Sequence, residues 1–326
     1  MTTRIYMRTI VQNFGENRKK WALILAIVLG GIILFALPLS LKAKSYVYVD
    51  DTSCEDPDGS SEKPYNSIQK AIDKAEKKDR DVKIKKGTYY ENFKIWSDVE
   101  VYGEDKDKVI IIAEDGDTEV VKMYHDSEIH DVSVKYGERG IYVDSNAKAL
   151  IKDCIIEGND QDGIKAEEGE ISSEHQLEIR NCEIKYNGRN GIFVLERKVE
   201  IQDNEIKGNE HDGVELQAGT EGEIKGNDFE ENEGDGLRFT LDESDLEIIS
   251  NDFSDNGREG IEVRSQGDEG DVLIKYSKFN KNGGWGIARI EKAPFSDEEW
   301  KNSLVQSENS FWDNGKGTVS DVINVY

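Results

Sequence analysis

Cysteine is nearly absent: three residues in 326, Cys54, Cys154 and Cys182. Three are too few for a disulfide scaffold, and their spacing matches no zinc-ligand pattern. Positive charge is also short, with 42 Lys and Arg against 68 Asp and Glu and a net charge of −26. No basic stripe stands out against that background, which argues against nucleic acid as a partner. Leucine is scarce and no helical stretch recurs, so a leucine-rich repeat is excluded. The length itself permits one large domain or two ordinary ones, with ample material for a core.

The charge is unevenly spread. Residues 1–44 carry Arg4, Arg8, Arg18, Lys19, Lys20, Lys42 and Lys44 against Glu16, leaving the remainder strongly acidic. Between Trp21 and Leu41 no residue is charged, and such a run is long enough to cross a hydrocarbon core of about 30 Å. It reads as a transmembrane anchor or a signal segment. It exceeds the usual apolar region of a cleaved signal, and Leu41-Lys42-Ala43 has the wrong first residue for a small-x-small cleavage site, so an uncleaved anchor is expected. The basic residues before it put residues 1–20 in the cytoplasm and the acidic body, residues 45–326, outside the cell membrane.

What the sequence has is a repeat. Asn159, Asn187, Asn209, Asn232, Asn256, Asn282 and Asn314 align it. Eight positions before the first six stands Ile151, Ile179, Ile201, Ile224, Ile248 or Ile274. Three before each stands Ile156, Ile184, Ile206, Phe229, Phe253, Phe279 or Phe311. Five before stands Cys154, Cys182, Asn204, Asn227, Asn251, Ser277 or Asn309. Four after the first six comes Gly163, Gly191, Gly213, Gly236, Gly260 or Gly286, each followed by an apolar residue. Apolar residues alternate within three short pieces per period, which is strand spacing. Asn, Gly and Asp separate the pieces, and these residues tolerate left-handed backbone at tight bends. Three strands and three bends per period describe one coil of a parallel β-helix, an all-β solenoid of roughly ten coils. Neighbouring coils then lie about 4.8 Å apart and equivalent side chains form columns, with Ile and Phe filling the interior and Asn forming an amide ladder. Within such a repeat, the dense group Glu210, His211, Asp212 and Glu215 reads as an ordinary bend leading into a strand. Cys154 and Cys182, stacked on adjacent coils, stay too far apart for a disulfide and are expected reduced and buried.

These periods resemble the right-handed parallel β-helix proteins of the pectin lyase-like superfamily, with their N-x-I-x-x-N-x-x-x-G-I repeats. The opening segment, residues 45–92, strengthens the likeness: Tyr46-Val47-Tyr48-Val49-Asp50-Asp51, then Lys63-Pro64-Tyr65-Asn66-Ser67-Ile68-Gln69-Lys70-Ala71-Ile72, then Gly87-Thr88-Tyr89-Tyr90-Glu91-Asn92. Ser67 is positioned to cap a helix reaching about Lys78 that covers the open end of the solenoid. Ser296-Asp297-Glu298-Glu299 has capping-box spacing and predicts a short helix in the last connection. The coil at Gly137 and Gly140 is one residue short, with Gly137 in the Asn position.

The resemblance implies a ligand surface along the outer face of the strand that follows each Gly. Alternation turns Tyr142, Lys165, Phe193, Glu215, Arg238 and Glu262 outward there. The residue before each Gly makes a second row: Asp162, Asn190, Asp212, Asp235, Glu259 and Trp285. Asp212, Asp235 and Glu259 stack like charges, which need solvent or a cation between them. Asp-Gly bends in open water are the plain expectation for these three, and a paired charge ladder is the plain expectation for Glu215, Arg238 and Glu262. For a calcium-dependent polysaccharide lyase of the pectate or alginate type, the resemblance implies calcium on Asp212, Asp235 and Glu259, with Arg238 or Lys165 as base. Arginine is an awkward base because its pKa stays above about 12. Glu215 and Glu262, two coils apart, are spaced for a glycosidase, but Arg238 lies where water belongs. His211 is the one histidine near this face, so the copper of NosD-like relatives is not expected. The reading favoured is a membrane-anchored extracytoplasmic protein that binds polysaccharide or a cell-surface glycan, with Tyr142, Phe193 and Trp285 as stacking surfaces. A structural spacer or adhesin is the further alternative.

Overall fold

Alternation of apolar and polar residues generates, among the described residues of the computed structural model, thirty short strands, ten in each of three parallel sheets. The structure describes residues 45–324 apart from 53, 97, 218, 266–269 and 292–307. The expected cytoplasmic tail and anchor, and the expected helix at Ser296–Glu299, lie outside the described residues. Among the described residues no helix is long and apolar enough to cross a membrane. Sheet A runs from Tyr46–Val49 to Gly270–Lys275, sheet B from Gly87–Tyr90 to Ser310–Trp312, and sheet C from Phe93–Ile95 to Gly317–Asn324. From Asp81–Ile84 to Trp285–Glu291 successive strands visit A, B and C in turn, so each strand pairs with its copy one coil on, as in Ile179 with Ile201 and Ile201 with Ile224.

Inward columns form the core. Ile151, Ile179, Ile201, Ile224 and Ile248 of sheet A are buried, as are Ile156, Ile184 and Ile206 of sheet B. Further along sheet B the column turns aromatic. Phe229, Phe253, Phe279 and Phe311 stack at 4.6, 5.0 and 4.8 Å with nearly parallel rings, so the identical spacing of coils becomes a continuous ring stack. Cys154 and Cys182 are buried and unbridged, and burial pushes the Cys154 thiol up.

Two bends in each coil are built alike. The residue ahead of each ladder position is left-handed, for instance Asp203 (φ 54°) before Asn204 and Glu231 (φ 55°) before Asn232. The ladder side chain then turns inward. In the first ladder, Asn204 Nδ2 donates to Asn227 Oδ1 at 2.9 Å and Asn227 Nδ2 to Asn251 Oδ1 at 3.0 Å. The reference asparagines of the repeat form a second ladder of the same kind, in which Asn187, Asn209, Asn232 and Asn256 pass bonds from coil to coil at 2.9 to 3.0 Å. Each ladder amide also meets backbone groups: Asn232 Nδ2 donates to Ile206 O, and Asn232 Oδ1 accepts the Asn209 N–H. Gly137 closes this second ladder with its backbone N–H on Asn159 Oδ1, having no side chain to extend it. The glycine column ahead of sheet C has a steric cause, since a Cβ on Gly191 would lie 2.6 Å from Gly213 O and 2.9 Å from Asn209 Nδ2.

Helix α1, Ile68–Glu76, buries Ile68, Ala71, Ile72 and Ala75 and is capped by Ser67. The Gly-Thr-Tyr-Tyr-Glu stretch contributes directly, because the Glu91 carboxylate accepts from the Ile68 and Gln69 N–H groups and from the Ser67 hydroxyl. A carboxylate at a helix N-terminus satisfies unpaired donors and opposes the dipole.

The ladders make a firm prediction. Asn232→Ala strips one amide from a buried chain and leaves the Asn209 N–H and the Asn209 side-chain amide without their acceptor. It should lower unfolding free energy by about 3 kcal/mol or more, read by urea titration of the purified protein.

Candidate functional site

On sheet C the outward row assembles in register, Tyr142 beside Lys165, then Phe193, Glu215, Arg238 and Glu262. Its charged members are occupied by one another. Arg238 lies 2.7 Å from Glu215 and 2.9 Å from Asp212. Burial works against the guanidinium charge, but these two carboxylates more than offset it and hold Arg238 above its ordinary value. Glu215 also accepts from Asn190 Nδ2 and Gln217 Nε2. The expected ladder breaks at the next rung, where Glu262 turns to Arg258 at 3.2 Å and Arg264 at 2.6 Å. Lys165 pairs with Glu167 at 2.8 Å. Phe193 lies beneath the Arg189 guanidinium at 5.5 Å. Tyr142 is half-buried, and burial pushes its hydroxyl up to about 12. Trp285 belongs to the row before the glycines, beyond Glu259 and four coils from Phe193, packed against Gly317. Tyr142 and Phe193 thus share a patch that Trp285 does not join.

The row before the glycines differs from the bend in open water expected for it: Asp162, Asn190, Asp212, Asp235 and Glu259 are buried. The first four of these side chains accept the backbone N–H of the next coil, for instance Asp212 from Asp235 at 2.8 Å and Asp235 from Glu259 at 3.0 Å. This is a third ladder, made partly of acids. Burial, with Glu262 and Asp212 nearby, pushes the Asp235 carboxyl up to about 8, so it is largely protonated at neutral pH. Burial also raises Asp162 and Asp212. Among the described residues no group of three or more His, Cys, Asp or Glu could hold a metal ion. Asp212, Asp235 and Glu259 do not fit calcium, because one oxygen of each aspartate is committed to a backbone amide and Glu259 meets Lys316 at 3.2 Å.

Concavity lies on sheet A. A groove of about 540 Å³ crosses five coils from Gln176 to Leu273, lined by Lys198, Glu200, Glu221, Glu223, Asp245, Glu247 and Asp271. A second, of about 400 Å³, lies earlier on the same sheet around Asp98, Asp126, Glu128 and Lys148. In register along the outer surface run Glu100, Glu128, Leu150, Glu178, Glu200, Glu223 and Glu247. The glutamates from Glu178 onward each directly precede an inward isoleucine, so the column was visible in the alignment once the outward neighbours were read too. Some are compensated: Arg180 meets Glu178 at 2.9 Å and Glu200 at 2.7 Å, and Gln202 donates to Glu223 at 2.7 Å. Among the described residues the carboxylates of Glu221, Glu247 and Asp271 have no such partner.

Arg197 frames this groove from within. It is fully buried and donates to four carbonyls: Ala147 at 2.7 Å, Glu167 at 3.1 Å, His175 at 3.2 Å and Asp144 at 3.4 Å. Burial lowers it to about 10. The long connection from Glu167 to Gln176 is held at both ends by this one side chain, and Gln176 lines the groove.

The buried acid ladder has a pH signature. A carboxyl whose folded-state pKa is raised stabilises the fold least once pH passes that value. Asn190 shows that an amide fits this column, and Asp235→Asn retains the acceptor for the Glu259 N–H. The substitution should raise unfolding free energy at neutral pH by about 2 kcal/mol or more, since every tenfold change in proton affinity corresponds to about 1.4 kcal/mol, with the gain growing as pH rises from about 4 to about 8 and level above that. Thermal melts across that range read it out; a gain that shrinks as pH rises would contradict the assignment.

Residues 170–321 match the family model described as the right handed beta helix region. No curated protein sequence matches. Among solved structures, the Dettilon tailspike protein aligns with TM-score 0.53 at 15% identity, over 85% of this chain and 62% of its own. Tailspike protein 2 of Escherichia coli O157:H7 bacteriophage CAB120 aligns with TM-score 0.55 at 14% identity, over 77% of this chain and 39% of its own. A mutant of the periplasmic alginate epimerase AlgG aligns with TM-score 0.49 at 15% identity, over 76% of each chain. Such identities speak for fold alone. With its coil-by-coil ladders and three parallel sheets, the body of this chain has the parallel β-helix fold, and within it residues 170–321 are similar to the right handed beta helix region.

Proposed function

We propose that this protein is a membrane-anchored, extracytoplasmic β-helix that binds a polysaccharide lengthwise along sheet A without turning it over. The observation that carries this reading is the groove of about 540 Å³ across five coils, whose carboxylates face outward. Carboxylates are strong acceptors for sugar hydroxyls, and a row of them repeating every coil suits a chain polymer. The anchor and its orientation rest on the uncharged run from Trp21 to Leu41 and the basic residues before it.

Against catalysis on sheet C stands the state of its ionisable groups. A lyase base has to give up its proton, and Arg238 is held more firmly charged by Asp212 and Glu215. Glu215 and Glu262, the carboxylates considered for a glycosidase, are each bound by arginine. Calcium finds no fitting set of ligands at Asp212, Asp235 and Glu259. Tyr142 and Phe193 supply an auxiliary stacking patch on the neighbouring face.

The full-length protein in detergent, applied to a polysaccharide array, should bind at least one polymer. Paired Glu223→Gln and Glu247→Gln substitutions should weaken that binding about tenfold, the loss expected when charge-assisted hydrogen bonds become neutral ones. Incubation with polyuronates and calcium should give no absorbance from unsaturated product. Product that disappears with Arg238→Ala would establish the lyase instead, and an array without any bound polymer would favour a spacer.

A further inference from the structure

We infer that the outward face of helix α1, at the N-terminal end of the solenoid, docks on the headgroups of an anionic phospholipid bilayer. This rests on the reading of Trp21–Leu41 as a membrane anchor and adds to it which surface of the body meets the membrane.

Helix α1 turns Ile68, Ala71, Ile72 and Ala75 into the core, which leaves Lys70, Lys74 and Lys77 together on the opposite stripe. Lys78 and Arg80 follow directly. From Lys70 to Arg80 five cations stand against three carboxylates, in a chain where acids outnumber bases 68 to 42. Among the described residues none of the five forms an ion pair. By contrast Lys85, Lys106, Lys122, Lys135, Lys165 and Lys185 each meet a carboxylate. The crowding has a consequence. Lys74 first, then desolvation and Arg80, push the Lys78 ammonium below its ordinary value, and Asp58 only partly offsets them. A helix C-terminus attracts cations through its dipole, but cations that repel one another exceed what the dipole uses. A basic amphipathic helix suits an anionic surface. Here its apolar face is already occupied by the core, so the attraction is by charge alone.

The place of the patch in the chain names the partner. The described body begins at Ser45, whose carbonyl accepts the Asp81 N–H at 3.3 Å, and the Arg80 N–H bonds back to Ala75 O at 3.2 Å. The chain therefore enters the body beside the basic end of α1. Ser45 lies four residue steps after Leu41, the end of the uncharged run, and four steps cover at most about 14 Å when extended. Headgroups of a bilayer crossed by that run are thus within reach of Arg80 and Lys78. Each cation near an anionic bilayer surface contributes about a fivefold preference, and the excess acid of the rest of the body opposes approach by any other surface.

Amine acylation read by mass spectrometry tests this on the full-length protein, reconstituted into vesicles of phosphatidylcholine alone or mixed with phosphatidylglycerol. Flotation with the vesicles first reads the anchor by itself. At low salt Lys70, Lys74 and Lys77 should label about tenfold more slowly in the anionic vesicles, the effect of one or two bound cations. Lys278 and Lys281, more than half exposed near the other end of the solenoid, should label equally in both. The protection should fade as the Debye length shrinks from about 30 Å to about 8 Å with added salt, and Lys78→Gln with Arg80→Gln should remove most of it at Lys70. Equal labelling of α1 in the two vesicle types overturns the lipid assignment and leaves the anchor intact. Equal protection of Lys278 and Lys281 overturns it in favour of a body lying along the bilayer. Protection to the same degree by inorganic pyrophosphate, with the protein in detergent, overturns it in favour of a free phosphate ligand. If the protein does not float with the vesicles, the anchor and this inference fall together. The comparison of vesicles uses the unaltered protein, so the outcome stands even if a variant does not fold.

Discussion

Each coil of this protein lies about 4.8 Å from the next, and that distance governs the rest of the structure. It is close to a hydrogen-bond repeat, so a buried polar group is satisfied by its own copy above and below. Buried asparagines would be costly singly. Stacked, each amide donates and accepts within the column and also ties down a backbone group of the adjoining coil. The Phe stack of sheet B is the apolar form of the same repetition.

The constraint cuts differently for charges, because copies of a carboxylate repel where copies of an amide attract. Two remedies appear. On sheet C the acids before the glycines are buried against backbone amides, and Asp235 gives up its charge. Arg238, Arg258 and Arg264 neutralise the rest of that face. On sheet A the outward glutamates stay in the open beside grooves, and part of the column keeps its charge uncompensated. Sheet C is thereby electrostatically closed, and sheet A is the face with charge to offer.

Much of the architecture was legible in the residues. The inward Ile and Phe columns, the Asn ladder five positions ahead of the reference asparagines, the Ser67 cap and the unbridged state of Cys154 and Cys182 all follow from spacing. A second amide ladder, through Asn187, Asn209 and Asn232 themselves, was equally legible but stood as a mere alignment mark. The site was less readable. Register correctly set Tyr142 to Glu262 in one row, yet it carried no information on which neighbour Glu262 would choose or on Trp285 standing four coils from Phe193. The reach of Arg197 to four carbonyls, from Asp144 to His175, has no counterpart in any periodic pattern.

By itself the sequence determined which residues share a column, because parallel in-register stacking turns equal spacing along the chain into vertical alignment. Only the tertiary structure decided what each column experiences. Whether Asp235 is solvated or buried, whether an outer face is flat or grooved, and which arginine meets which carboxylate depend on how the connections overhang the sheets. Those connections have irregular lengths and compositions, so their paths are set by long-range packing and side-chain reach rather than by any repeat.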